Sequence, residues 1–300
     1  MAIRYNGQEV KKVIYNNQRV DKVYYNGQRI DTDNNYRYED DESRIGQSEL
    51  SYTLENGIVK VNLYTGRMLF QQNELEIGAG NFKISVFHIY NSHLINQEVS
   101  NHINGKRWRL NIEQRCYKIE ENTLSYKKGD YIYVDESGYN HRFIKYKEGE
   151  EESYYDDSGS NLKLIVSENE VKIEEDSGNK YLFDNQGRLK NIISGLNENI
   201  NKVIEYLDNG NIQIYDKRKA SRKIQLIYSN FLLSKIEVIE EGVVKKGYSY
   251  TYNSSNQLIL INKRSSQTSL PEAVTSFEYD ENENLTKIIG QKDRKSIFIS

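Results

Sequence analysis

A chain of 300 residues with a formal net charge of −3, its Lys and Arg interleaved with Asp and Glu throughout, lacks the basic block of a nucleic-acid binder. No apolar run reaches the ~18 residues of a membrane span, the opening Met1-Ala2-Ile3-Arg4 does not read as a signal peptide, and a lone Cys116 rules out an internal disulfide. Hydrophobic residues are 37% of the chain against the usual ~45–50%, while 25 tyrosines suit sheets with one buried and one wet face.

One proline and 19 glycines leave the turns to Asn, Asp, Ser and Gly. The opening residues repeat with a period of ten: Tyr5-Asn6-Gly7-Gln8, Tyr15-Asn16-Asn17-Gln18, Tyr25-Asn26-Gly27-Gln28. Asn-Gly between alternating apolar residues signals a hairpin, because a type I′ turn needs positive φ at both central positions. Asn6, Gly7, Asn26 and Gly27 are therefore expected to be turn residues. Val10, Val13, Val20, Val23 and Ile30 supply the apolar positions of a small β-meander. Residues 31–46 are polar and acidic and read as a linker, so residues 1–45 are expected to be an attachment module and residues 46–300 a second unit.

From Leu50 onward strand follows strand. Phe82 to Tyr90 alternates apolar and polar residues, the mark of a half-buried strand. Tyr131-Ile132-Tyr133-Val134 ends at a turn, Asp135-Glu136-Ser137-Gly138. Leu162 to Val166 and Val171 to Ile173 flank another, and no long window keeps a helical period. The second half then repeats a tyrosine-led hairpin unit. An aromatic (Phe183, Tyr252, Tyr279) is followed by Asp184, Asn253 or Asp280, by Leu189, Leu258 or Leu285 six positions on, and by Ile192, Ile261 or Ile288 nine positions on. Such a copy cannot bury its apolar face alone, so the copies must stack. The expectation is an all-β protein built by adding hairpins.

Val61 to Phe70 with its Tyr64-Thr65-Gly66-Arg67 turn, the strand ending Tyr90-Asn91-Ser92, and Gly105-Lys106-Arg107-Trp108 resemble the opening segment of RHS (rearrangement hot spot) proteins, the tyrosine-aspartate repeat family. Tyr181, Phe183, Asp184, Gly187, Arg188 and Leu189 resemble that family's repeat unit, and the likeness covers roughly residues 50–300. It implies a β-sheet winding into a hollow shell that can sequester a toxic carboxy-terminal domain. Its structural residues here would be Trp108, Tyr181, Phe183, Asp184, Gly187, Leu189, Tyr252, Leu258, Tyr279, Asp280 and Leu285. There are departures. The unit at Tyr228 is shortened, running to Leu232 and Ile236, and Asn256-Gln257 and Glu283-Asn284 replace Gly-Arg. The family's Asp-Pro autoproteolytic core is absent, since Leu270 precedes the only proline, Pro271, and the array stops mid-unit at Ser300, as in a fragment or short form of a larger shell.

Other chemistry reads weakly. His88, His93 and His102 cluster near one strand end, but a metal site wants ligands converging from rigid elements, and ordinary polar histidines account for them. Cys116 reads as a small buried residue. Gly78-Ala79-Gly80 has no helix after it to make a phosphate loop, and Asp157-Ser158-Gly159 and Asp176-Ser177-Gly178 sit where turns are needed. No catalytic, cofactor or metal residue is assigned. The expected function is a non-enzymatic shell component, secreted without a signal peptide or carried on a phage-tail-like particle of bacterial or phage origin. Its partners would be the rest of the shell, a downstream effector or a particle component. The rival is a tail adhesin whose tyrosines contact cell-surface glycan or a protein receptor.

Overall fold

The computed structural model describes residues 4–5, 8–9, 13–15, 18–20, 24–25, 28–29, 49–54, 57–63, 66–78, 83–94, 104–123, 126–148, 151–157, 159–168, 170–265, 272–290 and 296–298. Among these the chain is all-β, without a helix. The ten-residue repeats give three two-stranded hairpins: β1 (Arg4–Tyr5) with β2 (Gln8–Glu9), β3 (Val13–Tyr15) with β4 (Gln18–Val20), and β5 (Tyr24–Tyr25) with β6 (Gln28–Arg29). Tyr5 pairs with Gln8 and Tyr25 with Gln28; Asn6, Gly7, Asn26 and Gly27 between them, and the linker at 31–46, lie outside the described residues.

Three larger antiparallel sheets follow. The first holds β7 (Glu49–Leu54), β8 (Gly57–Asn62), β9 (Met68–Ile77), β10 (Ile84–Asn91) and β11 (Trp108–Leu110), each beside its sequence neighbour. The second holds β12 (Arg115–Lys118), β13 (Tyr131–Val134), β14 (Asn140–Glu148) and β15 (Glu151–Asp156). The third is a thirteen-stranded meander. It opens with β16 (Lys163–Ser167), β17 (Glu170–Glu174), β18 (Lys180–Phe183), β19 (Leu189–Ile193), β20 (Asn201–Tyr206), β21 (Ile212–Asp216) and β22 (Arg222–Ser229). It continues with β23 (Leu232–Glu240), β24 (Val243–Tyr252), β25 (Leu258–Ser265), β26 (Glu272–Tyr279), β27 (Leu285–Gly290) and β28 (Ser296–Phe298).

The repeat spacing becomes cross-strand pairing. The aromatic and the Leu six positions on face each other at the hairpin end: Phe183↔Leu189, Tyr252↔Leu258, Tyr279↔Leu285. The Ile nine positions on faces the aromatic two residues earlier: Tyr181↔Ile192, Tyr250↔Ile261, Phe277↔Ile288. In each unit the register shifts by one just before the turn, at Leu182/Phe183, Thr251/Tyr252 and Glu278/Tyr279. Beside it lies a five-residue turn, built the same way at Asp135–Tyr139, Glu175–Asn179, Asp184–Arg188, Leu207–Asn211, Asn253–Gln257 and Asp280–Asn284. In each, the first amide donates to the fifth carbonyl (2.9–3.0 Å) and the fourth amide to the first carbonyl (2.8–3.1 Å). The fourth residue is left-handed: Gly138, Gly178, Gly187, Gly210, Asn256 (φ 60°) and Glu283 (φ 65°). A type I turn closed by a left-handed residue is a common tight hairpin connection, and an Asx side chain in first position adds bonds to the amides ahead of it; the same turns at Asp135, Glu175 and Leu207 carry no register shift in the strands beside them. Asp184 Oδ1 accepts from Gln186 and Arg188, and Asn253 Oδ1 from Ser255 and Gln257. The copies without Gly-Arg thus keep the same turn, with Asn or Glu carrying the strain. The shortened unit turns through Asn230 and Phe231, both at positive φ, and sets Tyr228 opposite Leu233, which is buried where the sequence suggested Leu232.

Alternation along these strands buries one face; in β21 it hides Ile212 and Ile214 and leaves Gln213 half exposed. One core joins all three sheets. Phe70 of β9, Trp108 of β11 and Phe277 of β26 meet with centroids 6.1 Å (Phe70–Trp108), 6.2 Å (Phe70–Phe277) and 4.8 Å (Trp108–Phe277) apart. Tyr133 of β13 meets Phe183 of β18 at 5.9 Å. Over the described residues the inner face of the long sheet is covered by the side chains of the two shorter ones. The second sheet is tied to the long one at Gly187, whose carbonyl accepts from Cys116 N at 2.9 Å and where a Cβ would stand 2.5 Å from Cys116 O. Gly210 also has a positive φ, but a Cβ there would meet nothing within 4 Å. We therefore expect Gly210→Ala to cost about 1 kcal/mol from the left-handed backbone alone, and Gly187→Ala clearly more, because backbone must also move; urea unfolding of the two variants measures the difference.

Candidate functional site

Residues singled out by the repeat pattern sit at joints. The Tyr279 hydroxyl donates to Leu258 O (2.6 Å), Tyr252 to Leu233 O (2.9 Å) and Tyr206 to Leu189 O (3.1 Å). Each tyrosine thus ties its hairpin to the leucine of the one before. The Tyr279 oxygen also accepts from Trp108 Nε1 at 2.8 Å, and Tyr181 donates to Glu175 Oε1. Asp184 accepts from Arg188 Nε at 2.8 Å, and the Arg188 guanidinium lies 4.0 Å over the Tyr206 ring. Leu189, Leu258 and Leu285 are buried beside them, and Asp280 holds its turn through the Asn284 amide. The opening segment does the same work. Tyr90 OH accepts from Leu285 N, and Asn91 Oδ1 accepts from Arg67 Nε and His93 N. Arg67 also lies 3.6 Å over the Tyr139 ring. Tyr64, Thr65 and His102 lie outside the described residues.

A buried polar cluster escaped sequence reading. His88 Nδ1 lies 2.6 Å from Glu74 Oε1, both side chains fully enclosed. Tyr250 donates to the other carboxylate oxygen and Tyr248 to Glu74 O. Burial and the Glu74 charge push the Tyr250 phenol well above its ordinary value, so it stays a donor. Glu74 sits in an ordinary-looking strand and its tyrosine partners lie 174 and 176 positions away; no local signal marks it. Burial likewise pushes the Cys116 thiol up, out of nucleophilic range.

Asp135, His141 and Ser160 form a row: His141 Nε2 is 3.2 Å from Asp135 Oδ2, and Ser160 Oγ is 3.4 Å from Nδ1. The second distance is long for activating a nucleophile, and Asp135 is spent on its own turn, accepting from Ser137 and Tyr139. Among the described residues no three His, Cys, Asp or Glu converge as metal ligands would.

The best concave feature is a cavity of about 340 Å³ where the three sheets meet. Its floor is Ile84, Ile112, Ile192, Ile204 and Ile214. Most of its polar wall is already committed: Asn111 to Phe87 N and Ser85 O, Gln114 to Tyr133 and Asn111 O, Asn179 to Gly195 N and Glu175. Its charged groups are Glu136, open to solvent, and Lys202, half-buried. Protein packed around Glu136 raises its carboxyl above the ordinary value, with Asp135 adding to this. Burial lowers the Lys202 ammonium, which Asp216 partly offsets. A second hollow of about 280 Å³ shares Ile84 and carries Arg218, which is held by Asp216.

No family model matches the chain, and no curated protein does.

Two outcomes follow. Tyr279→Phe removes a donor and an acceptor from one joint and should cost about 2 kcal/mol, with a changed emission from Trp108, the only tryptophan. Exposed Tyr155, changed to Phe, should move stability by less than about 0.5 kcal/mol. The second concerns acid. Burial alone would raise the Asp135 carboxyl, but the His141 hydrogen bond and charge, the Tyr139 amide and Arg109 outweigh it and hold the carboxyl below its ordinary value of 3.8. Its contribution is present above the unfolded value and lost as pH falls through the lower folded one; Asp135→Asn should therefore flatten the acid limb of a melting-temperature-against-pH curve.

Proposed function

We propose that the chain is a non-enzymatic structural protein, part of an RHS-type β-shell that encloses or presents an effector of a secreted or phage-tail-like system. The observation that carries this reading is the hydroxyl-to-carbonyl relay from Tyr206, Tyr252 and Tyr279 to the leucine of the preceding hairpin. A unit that bonds its predecessor and offers the same carbonyl to its successor builds a continuing wall, as repeat proteins do. The side chains that join the sheets, among them Arg67, Asn91 and Trp108, are occupied in holding that wall. On this reading β7–β11 cap one stretch of its inner face.

A tail adhesin is the second reading. One observation favours it: Tyr146 and Tyr155 are both exposed, with ring centroids 5.9 Å apart, an arrangement that suits stacking on a sugar or partner protein.

The mass of the native product, detected in its source with an antibody raised against this chain, tests the shell. We expect a product far larger than 35.2 kDa with a further segment downstream. A product of about that mass, free of cargo, sinks the shell reading and leaves the adhesin.

A further inference from the structure

We propose that the cavity at the three-sheet junction binds a small zwitterion, a short unblocked peptide whose ammonium end meets Glu136 and whose carboxylate end meets Lys202. The proposal is independent of the shell reading. The cavity's volume, about 340 Å³, lies within the range of small-ligand sites. Its isoleucine floor offers a dry surface to an apolar side chain. Leu196, 79% exposed, lines the same cavity, an apolar residue in water that a seated ligand would cover.

The wall then selects the ligand's charges. The amides of Asn111, Gln114 and Asn179 and the Tyr181 hydroxyl are spent on protein partners. Glu136 and Lys202 make no hydrogen bond or ion pair among the described residues, and they project from different sheets' territory: one from the β13–β14 turn, one from β20. The charges acting on Glu136 are Asp135, Lys60, Glu175 and Arg109; those on Lys202 are Asp216 and Lys83. A neutral sugar would leave both charges unanswered and a simple ion would leave one. A peptide adds to the two end charges an apolar side chain for the isoleucine floor, and each residue lengthens its reach by roughly 3.3–3.6 Å.

Calorimetric titration of the intact chain with alanyl-leucine, its N-acetyl form and its C-terminal amide tests this. We expect saturable one-to-one binding of the free dipeptide, and binding about tenfold or more weaker for each blocked form, the cost of one charge-assisted hydrogen bond. In Glu136→Gln the acetylated and free peptides should bind alike; in Lys202→Met the amide and free peptides should. The blocked ligands test the native chain directly, so the proposal does not depend on either variant folding. Absence of saturable binding, equal binding of free and blocked peptides, or tighter binding of a neutral disaccharide such as lactose overturns it.

Discussion

The long sheet hangs on a hydrogen bond that crosses between hairpins. A tyrosine hydroxyl in apolar surroundings costs free energy unless it is bonded, and a strand-edge carbonyl beside it carries the same liability. Tyr206, Tyr252 and Tyr279 settle both at once by donating to Leu189, Leu233 and Leu258. The geometry depends on the turn. The five-residue turn sets the aromatic opposite the leucine, and the register shift beside that pair sets the aromatic two residues earlier opposite the isoleucine. Slip the register by one and every apolar side chain changes face.

Polar side chains make the joints between sheets. Gln72 Nε2 donates to Thr275 Oγ1, Trp108 Nε1 to Tyr279, and Leu285 N to Tyr90. Arg67 is clamped between Asn91 and the Tyr139 ring. Each of these groups would be costly if the sheets docked one strand out of place, whereas an isoleucine surface would tolerate the slip. The aromatic cluster of Phe70, Trp108 and Phe277 supplies adhesion, and the joints supply address.

The hairpin unit was legible because its determinants are local. Asp184, Asn253 and Asp280 announce an Asx turn, and the six- and nine-residue spacings of leucine and isoleucine are cross-strand partners read along the chain. Even the lost Gly-Arg pairs had a local reason, since Asn256 and Glu283 take the left-handed position themselves. The stacking of one sheet on another was not legible. Glu74 finds His88, Tyr248 and Tyr250 across separations with no period, and the cavity collects Glu136 from one turn and Lys202 from a strand far downstream. Periodicity records which face of a strand is apolar; it does not record which other face will cover it.

Every strand of the long sheet pairs only with its sequence neighbours, whereas the bonds that seat it on β7–β11 close separations of 170 to 203 residues. The two kinds of contact therefore mature at different times on the ribosome. Hairpins close as they emerge, but Phe70, Tyr90 and Trp108 must wait for β24–β27. Until β24–β27 emerge, the aromatic face of β7–β11 lacks its long-sheet partners, the kind of transiently exposed apolar surface at which chains misassemble.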